Sequence, residues 1–217
     1  MNTLVNRPAG DALTAYAGLF KPLQVGGLSL PSRLAVAPMT RVSATAEGQA
    51  TRQMGDYYEA FAAGGFGLVI TEGLYTDKAH AQGYLFQPGL ADHAQCDAWR
   101  TVVDRVHAHG GRIVAQLMHA GALSQGNPHR ITTKGPSAVL PAGQQMAFYR
   151  GDGPYRMPEA MSPRGASKAG GGDASGVGST GCESVDVVVI CEVKLDVKVG
   201  RPVEFTSNPW QQKEKSP

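Results

Sequence analysis

"TRQMGDYYEAFAAGGFGLVITEG", residues 51–73, decides the fold. Met54, Tyr57, Tyr58 and Phe61 recur at i, i+3, i+4 and i+7, the spacing of one apolar helix face. Gly64 and Gly65 supply a C-terminal stop, because glycine takes the left-handed backbone that ends a helix. "FGLVITEG" (66–73) follows at once, a short apolar run that reads as a strand buried on both faces. Helix, tight stop and buried strand together are one step of an alternating α/β chain.

The same grammar extends in both directions. Upstream, "RLAVAPMT" (33–40) reads as another strand buried on both faces. Before it, Leu23–Val25 and Leu28–Leu30 flank Gly26-Gly27, the pattern of a two-residue hairpin, with Pro31 ending the second run. Downstream, "ADHAQCDAWRTVVDRVHAHGG" (91–111) predicts a helix. Asp92 and Gln95 suit a capping box, Trp99, Val102, Val103 and Val106 form one stripe, and Gly110-Gly111 ends it. "RIVAQLMHAG" (112–121) is a third buried strand. The order hairpin, β, α, β, α, β implies an α/β fold with a parallel sheet and right-handed crossovers.

Beyond this point the patterning fades. Ala122 to Pro163 shows no convincing helix or strand and suits a long loop over the carboxyl ends of the strands. Seven of the eighteen residues from Arg164 to Gly181 are glycine. "VDVVVICEVKLDVKV" (185–199) alternates from Val193 onward and favours a strand, with no helix before it and no partner strand near it. One strand cannot make a domain. The expected organisation is an arm (1–18), a folded part (19–163) and an aberrant or disordered Gly/Val-rich tail (164–217).

Composition narrows the function classes. The 217 residues are 42% hydrophobic and 18% charged, with a net charge of +2 and no basic cluster. That balance suits a globular domain and gives no electrostatic footprint for nucleic acid or an anionic membrane. The N-terminus lacks the continuous apolar run of a signal peptide, and no stretch approaches a membrane span. Cys96, Cys182 and Cys191 show no pairing pattern, which argues against a disulfide scaffold or a zinc site. The expectation is a cytoplasmic protein.

Polar residues gather at the ends of the three strands, in "APMTR" (37–41), "TEGLYTD" (71–77) and "QLMHAG" (116–121). A shared end of successive parallel strands is where α/β proteins carry their sites. Gln116 is an amide inside an apolar strand, costly to bury unpaired. It either meets a ligand or bonds to neighbouring backbone. Thr40 either contacts a ligand or caps the next turn. Glu72 is an acid/base candidate, although a buried carboxylate bound to backbone is the commoner case. His119 could line the pocket or serve structure. His107 and His109, two apart on a helix, face different ways, so no metal site is expected there. "GGFG" (64–67) lacks the Lys-Ser/Thr ending of a phosphate loop and follows a helix instead of preceding one.

Taken with "QPGLADHAQCDAWRTVVDRVHAHGGRIVAQLMHAG" (87–121) and "GPSAV" (135–139), these stretches make Leu19–Pro163 resemble the N-terminal part of the old yellow enzyme family of FMN-dependent ene-reductases. The resemblance implies a partial (β/α)8 TIM barrel, here the N-terminal hairpin plus about three βα units. It implies FMN as cofactor, NAD(P)H as reductant and an activated alkene or quinone as small-molecule substrate. Carried over, Pro38 and Met39 would meet the flavin through the backbone, and Thr40 would place its hydroxyl beside the carbonyl near N5. Gly73 would admit the ring and Gln116 would pair with the pyrimidine edge.

The family's His-x-x-His or His-x-x-Asn pair and its tyrosine are not found, and no histidine follows His129. Catalytic residues therefore stay unknown, apart from a flavin-tuning role for Thr40. "PEAMSP" (158–163) is the last stretch to resemble the family, which suggests truncation near residue 163, by a frame change or a fusion. The expected activity of these 217 residues alone is poor. The alternatives are a non-catalytic fragment or interaction protein that holds no flavin, and a different barrel enzyme acting on a phosphorylated substrate.

Overall fold

A computed structural model describes residues 15–129, 132–162 and 192–193. The hairpin forms as its glycines require. β1 (Leu23–Val25) and β2 (Leu28–Leu30) pair antiparallel with Val25 opposite Leu28, and Gly26 takes φ +56° in the turn. A four-stranded sheet follows, in the order β3 (Ala35–Val36), β4 (Leu68–Tyr75), β5 (Arg112–His119) and β8 (Glu192–Val193), with every pairing parallel. α1 (Arg52–Ala63) joins β3 to β4, and α2 (His93–Ala108) joins β4 to β5. This is the alternation expected of part of a barrel.

Both helices start where a side chain can replace a missing carbonyl partner. Thr51 Oγ1 accepts from the Met54 N–H (3.3 Å), and Asp92 Oδ1 accepts from the Gln95 N–H (2.8 Å). The capping box at α2 is only half formed, however. Gln95 Oε1 accepts from the Ala91 N–H (2.7 Å), and its amide nitrogen donates to Glu47 O (2.8 Å) and the Tyr75 hydroxyl (2.6 Å). Gln95 thus ties the helix start to β4 and to the turn before α1.

The main core lies between the helices and one face of the sheet. Met54 and Tyr58 of α1, Trp99, Val102, Val103 and Val106 of α2, and Ile113, Ala115 and Leu117 of β5 are buried together. Tyr58 and Trp99 meet with ring centroids 5.9 Å apart, and Trp99 Nε1–H donates to Gly89 O (3.2 Å). Burying a large side chain of this kind contributes about 1.5–3 kcal/mol. Tyr57 and Phe61 sit at its margin, stacked edge to face (5.0 Å). Cys96 is also buried in this core.

Three expectations need correction. "RLAVAPMT" is not buried on both faces: only Ala35–Val36 forms a strand, Val36 is buried, and Ala35 and Ala37 are exposed. β3 is an edge strand among the described residues, with no strand paired on its other side. The valine-rich segment is not without a partner, since Glu192–Val193 pairs with Met118–His119 beside β5. The Ala122–Pro163 loop carries a short parallel pair, β6 (Lys134–Gly135) with β7 (Glu159–Ala160). The rest of the 164–217 tail, most of the 1–18 arm and the other two cysteines lie outside the described residues.

Candidate functional site

The inner face of the sheet is set by one irregularity in β4. Ile70 pairs with Val114, but the next pairing is Gly73 with Gln116, so one extra residue bulges out of β4 between them. Val69 and Leu74 both face the helices although they are five apart, an odd spacing that only a bulge permits. Gly73 therefore shares the inner face with Gln116. The Gln116 N–H, displaced from a regular ladder, donates to Thr71 Oγ1 (3.0 Å).

Around this pair the expected residues assemble. A Cβ at Gly73 would lie 2.8 Å from Met118 Sδ and 3.1 Å from Met118 Cβ, so a side chain there would crowd β5. The Gly73 carbonyl accepts from Gln87 Nε2 (2.8 Å). Met118 packs with Tyr84 and Ala120 in a second, smaller cluster that includes Val42 and Tyr149 at its edge. The Tyr84 hydroxyl reaches Thr40 Oγ1 at 3.4 Å. Thr40 does not cap a helix; Thr51 does that at α1. Pro38 and Met39 lie open at the end of β3, Met39 with 45% of its surface exposed. Thr40, Gly73 and Gln116 are thus linked through Tyr84 and Met118, while Pro38 and Met39 form the exposed rim.

Glu72 is buried and bound to backbone. Its Oε2 accepts from the Arg41 N–H (3.0 Å), its Oε1 accepts from the Tyr58 hydroxyl (3.4 Å), and its own N–H donates back to that hydroxyl (3.0 Å). Burial pushes the carboxyl above its ordinary value against the pull of these donors. Burial likewise raises the Tyr58 hydroxyl, helped by the neighbouring carboxylate. His119 accepts the Gly121 N–H at Nδ1 (3.0 Å), and burial lowers its pKa. His109 Nε2 lies 3.1 Å from Glu59 on the outer surface, away from the strand ends.

Tyr84, Gln87 and Tyr149 were missed by sequence reasoning. Tyr84 and Tyr149 stack at 4.7 Å across sixty-five positions, and no local spacing announces such a contact. A cavity of about 300 Å3 opens in the 122–163 loop, lined by Ser124, Gln125, Asn127, Thr133 and Arg156 among others. It includes none of the five expected flavin residues, and its polar side chains hold the loop together. Ser124 Oγ donates to Gln82 O (2.6 Å), and Gln125 Oε1 accepts from the Met146 N–H (2.6 Å). The strand ends, not this cavity, carry the candidate site.

A parallel α/β sheet with polar groups converging at the carboxyl ends of β3, β4 and β5 defines a strand-end site of the TIM-barrel class. Residues 18–164 match the NADH:flavin oxidoreductase / NADH oxidase family, and the chain belongs to that family. It is 41% identical over 117 residues to chanoclavine-I aldehyde reductase fgaOx3 of Penicillium roqueforti, covering 54% of this chain and 31% of that protein. It is 33% identical over 150 residues to a probable flavin mononucleotide-dependent alkene reductase of Leishmania infantum, covering 66% of this chain and 40% of that one. Among solved structures, the old yellow enzyme homologue of Zymomonas mobilis superposes with a TM-score of 0.69 at 28% identity, over 79% of this chain and 48% of the other. Morphinone reductase superposes at 0.67 with 33% identity, over 79% and 47%. The chain spans less than half the length of these relatives. No helix of the described residues is long and apolar enough to cross a membrane.

Proposed function

We propose that residues 19–163 are the N-terminal part of a flavin-binding barrel, preceded by an arm and followed by a segment outside that part. In this reading Pro38, Met39, Thr40, Gly73 and Gln116 hold FMN in an oxidoreductase that uses NAD(P)H to reduce an activated alkene or quinone in the cytoplasm. The observation that carries it is the inner-face pairing of Gly73 with Gln116, joined to the Thr40 hydroxyl through Met118 and Tyr84, inside a segment matching a flavin oxidoreductase family. The names of relatives, an alkene reductase and an aldehyde reductase, support the reaction class.

The residues fit the group chemically. A flavin pyrimidine alternates donors and acceptors, and the Gln116 carboxamide offers both kinds. Thr40 has a hydroxyl that can donate outward while its oxygen accepts from Tyr84. The exposed Pro38–Met39 backbone leaves room for a planar ring at the end of β3. When bound, FMN supplies the relay of a hydride from the nicotinamide to the alkene, and a proton completes the saturated product. Orientation of the ring is the contribution of this chain's residues; the acid that gives the proton is not among those assigned.

Titrating the full chain into FMN tests the reading. Quenching of flavin fluorescence with a saturable curve is the expected result, weakened roughly tenfold by Gln116→Leu, the scale of losing hydrogen bonds to a buried polar partner. Unchanged fluorescence throughout would favour the non-catalytic alternative. Oxidation of NAD(P)H with an enone by the full chain, with and without added FMN, tests the reaction class separately from flavin binding.

A further inference from the structure

The chain turns sharply after β3, and it does so through an unfavourable conformation. Val42 has φ +55°, a left-handed angle that a β-branched residue rarely adopts. Such strain persists only where the surroundings over-determine it. Here the surroundings include a carboxylate that is wholly buried. Glu72 Oε2 accepts from the Arg41 N–H (3.0 Å), and the Val42 amide next to it helps pull the carboxyl pKa down against burial. Amides of a left-handed turn tend to face anions, and the Arg41 amide of this turn is bonded to the Glu72 carboxylate.

The geometry points to Glu72 as the positioning residue that holds the Arg41–Val42 turn in its left-handed form and thereby presents Thr40 at the strand-end site. The β4 bulge makes this possible by sending Glu72 toward α1 while Gly73 stays on the inner face. Tyr58 fixes the other carboxylate oxygen and takes the Glu72 N–H, so the carboxylate is anchored from the helix side. Arg41 is held a second time, its guanidinium lying 4.4 Å from the centre of the Tyr57 ring. Val42 in turn packs against the Tyr84–Met118–Ala120 cluster, and Tyr84 holds Thr40. The groups facing the carboxylate are Tyr58 from α1, Arg41 and Val42 from the turn, and Tyr84 from the segment after β4.

This role concerns the same site as the proposed FMN function and rests on it only for its consequence for cofactor binding. A test that needs no flavin uses the amide signals of Arg41 and Val42 in the full chain. In the unaltered protein both should shift together with pH, at a midpoint above the ordinary carboxylate value, and Glu72→Gln should abolish that shift while keeping one acceptor oxygen. A double-mutant cycle in unfolding then asks whether the strain is coupled to the carboxylate. Val42→Gly relieves the left-handed cost, so Glu72→Gln should shift the unfolding equilibrium roughly tenfold less in that background than alone. Amides that ignore pH, or an equal effect in both backgrounds, overturn the positioning role. In FMN titrations Glu72→Gln should weaken binding several-fold. If the unaltered chain binds no FMN, the flavin reading fails while the amide and unfolding results still decide this one.

Discussion

The Tyr84 hydroxyl donates to Thr40 Oγ1 at 3.4 Å, joining the turn after β3 to the connection between β4 and α2. Burial pushes the Tyr84 hydroxyl well above its ordinary value, so it remains a protonated donor throughout the physiological range. The ring is held from the other side by Tyr149, stacked at 4.7 Å with 30° between planes. Thr40 therefore receives its hydrogen bond from a ring held in place by stacking, which leaves its own proton free to donate elsewhere.

Tyr84→Phe should retain the ring stack and lose only that bond. The expected cost is about 1 kcal/mol, the net value of a typical buried hydrogen bond. For a chain of this size that corresponds to a fall of about 2–4 °C in Tm. A thermal melt of the two proteins side by side checks it; an unchanged Tm means the contact contributes nothing to folding.

Gly73→Ala tests why glycine stands at the centre of the site. The new methyl would lie 2.8 Å from Met118 Sδ and 3.1 Å from Met118 Cβ. Sδ is the nearest obstacle and Cγ lies 3.4 Å away, while the Cβ, fixed to β5, stays close in any variant that keeps it. Overpacking of this kind costs about 1–3 kcal/mol. Combining it with Met118→Ala should recover part of the loss, because the obstructing atoms beyond Cβ are gone. Denaturant unfolding of the two single variants and the pair measures the coupling, and strict additivity would refute the steric explanation.

Helices, strands and hairpin were legible because each carries its period locally: Met54 and Tyr58 on α1, the Trp99–Val106 stripe on α2, Gly26-Gly27 in the turn. The barrel class and the five strand-end residues came through a family resemblance, which the match over residues 18–164 supports at the level of family. What sequence could not carry is the β4 bulge. Alternation alone would put Val69 and Leu74 on opposite faces, whereas both reach the helices. The bulge depends on pairing with β5, a tertiary event, and it decides where Glu72 and Gly73 point. Exposure of Ala35 and Ala37 was equally hidden, since "RLAVAPMT" reads the same whether or not a neighbour strand covers it. The turn at Val42 gave no signal at all, because valine is among the least expected residues at a positive φ.

His119 should make stability depend on pH. Its Nδ1 accepts the Gly121 N–H at 3.0 Å, so a proton there would break a buried hydrogen bond. Burial lowers its pKa below the ordinary 6.5; His80 pushes the same way and Asp77 opposes. The unfolded chain then binds more protons than the folded one below that ordinary value. By linkage, the stabilising contribution is complete above about pH 6.5 and is lost as the pH falls toward the folded-state pKa. Glu72 has the opposite sign: its raised carboxyl favours the folded state as pH falls through its folded pKa toward 4.5. The two effects overlap, so the variant must separate them. Chemical unfolding of the unaltered chain and of His119→Gln, from about pH 8 to about pH 5.5, should give a free-energy difference that narrows as the pH falls. A difference that stays constant across that range would mean that His119 is not the group that titrates.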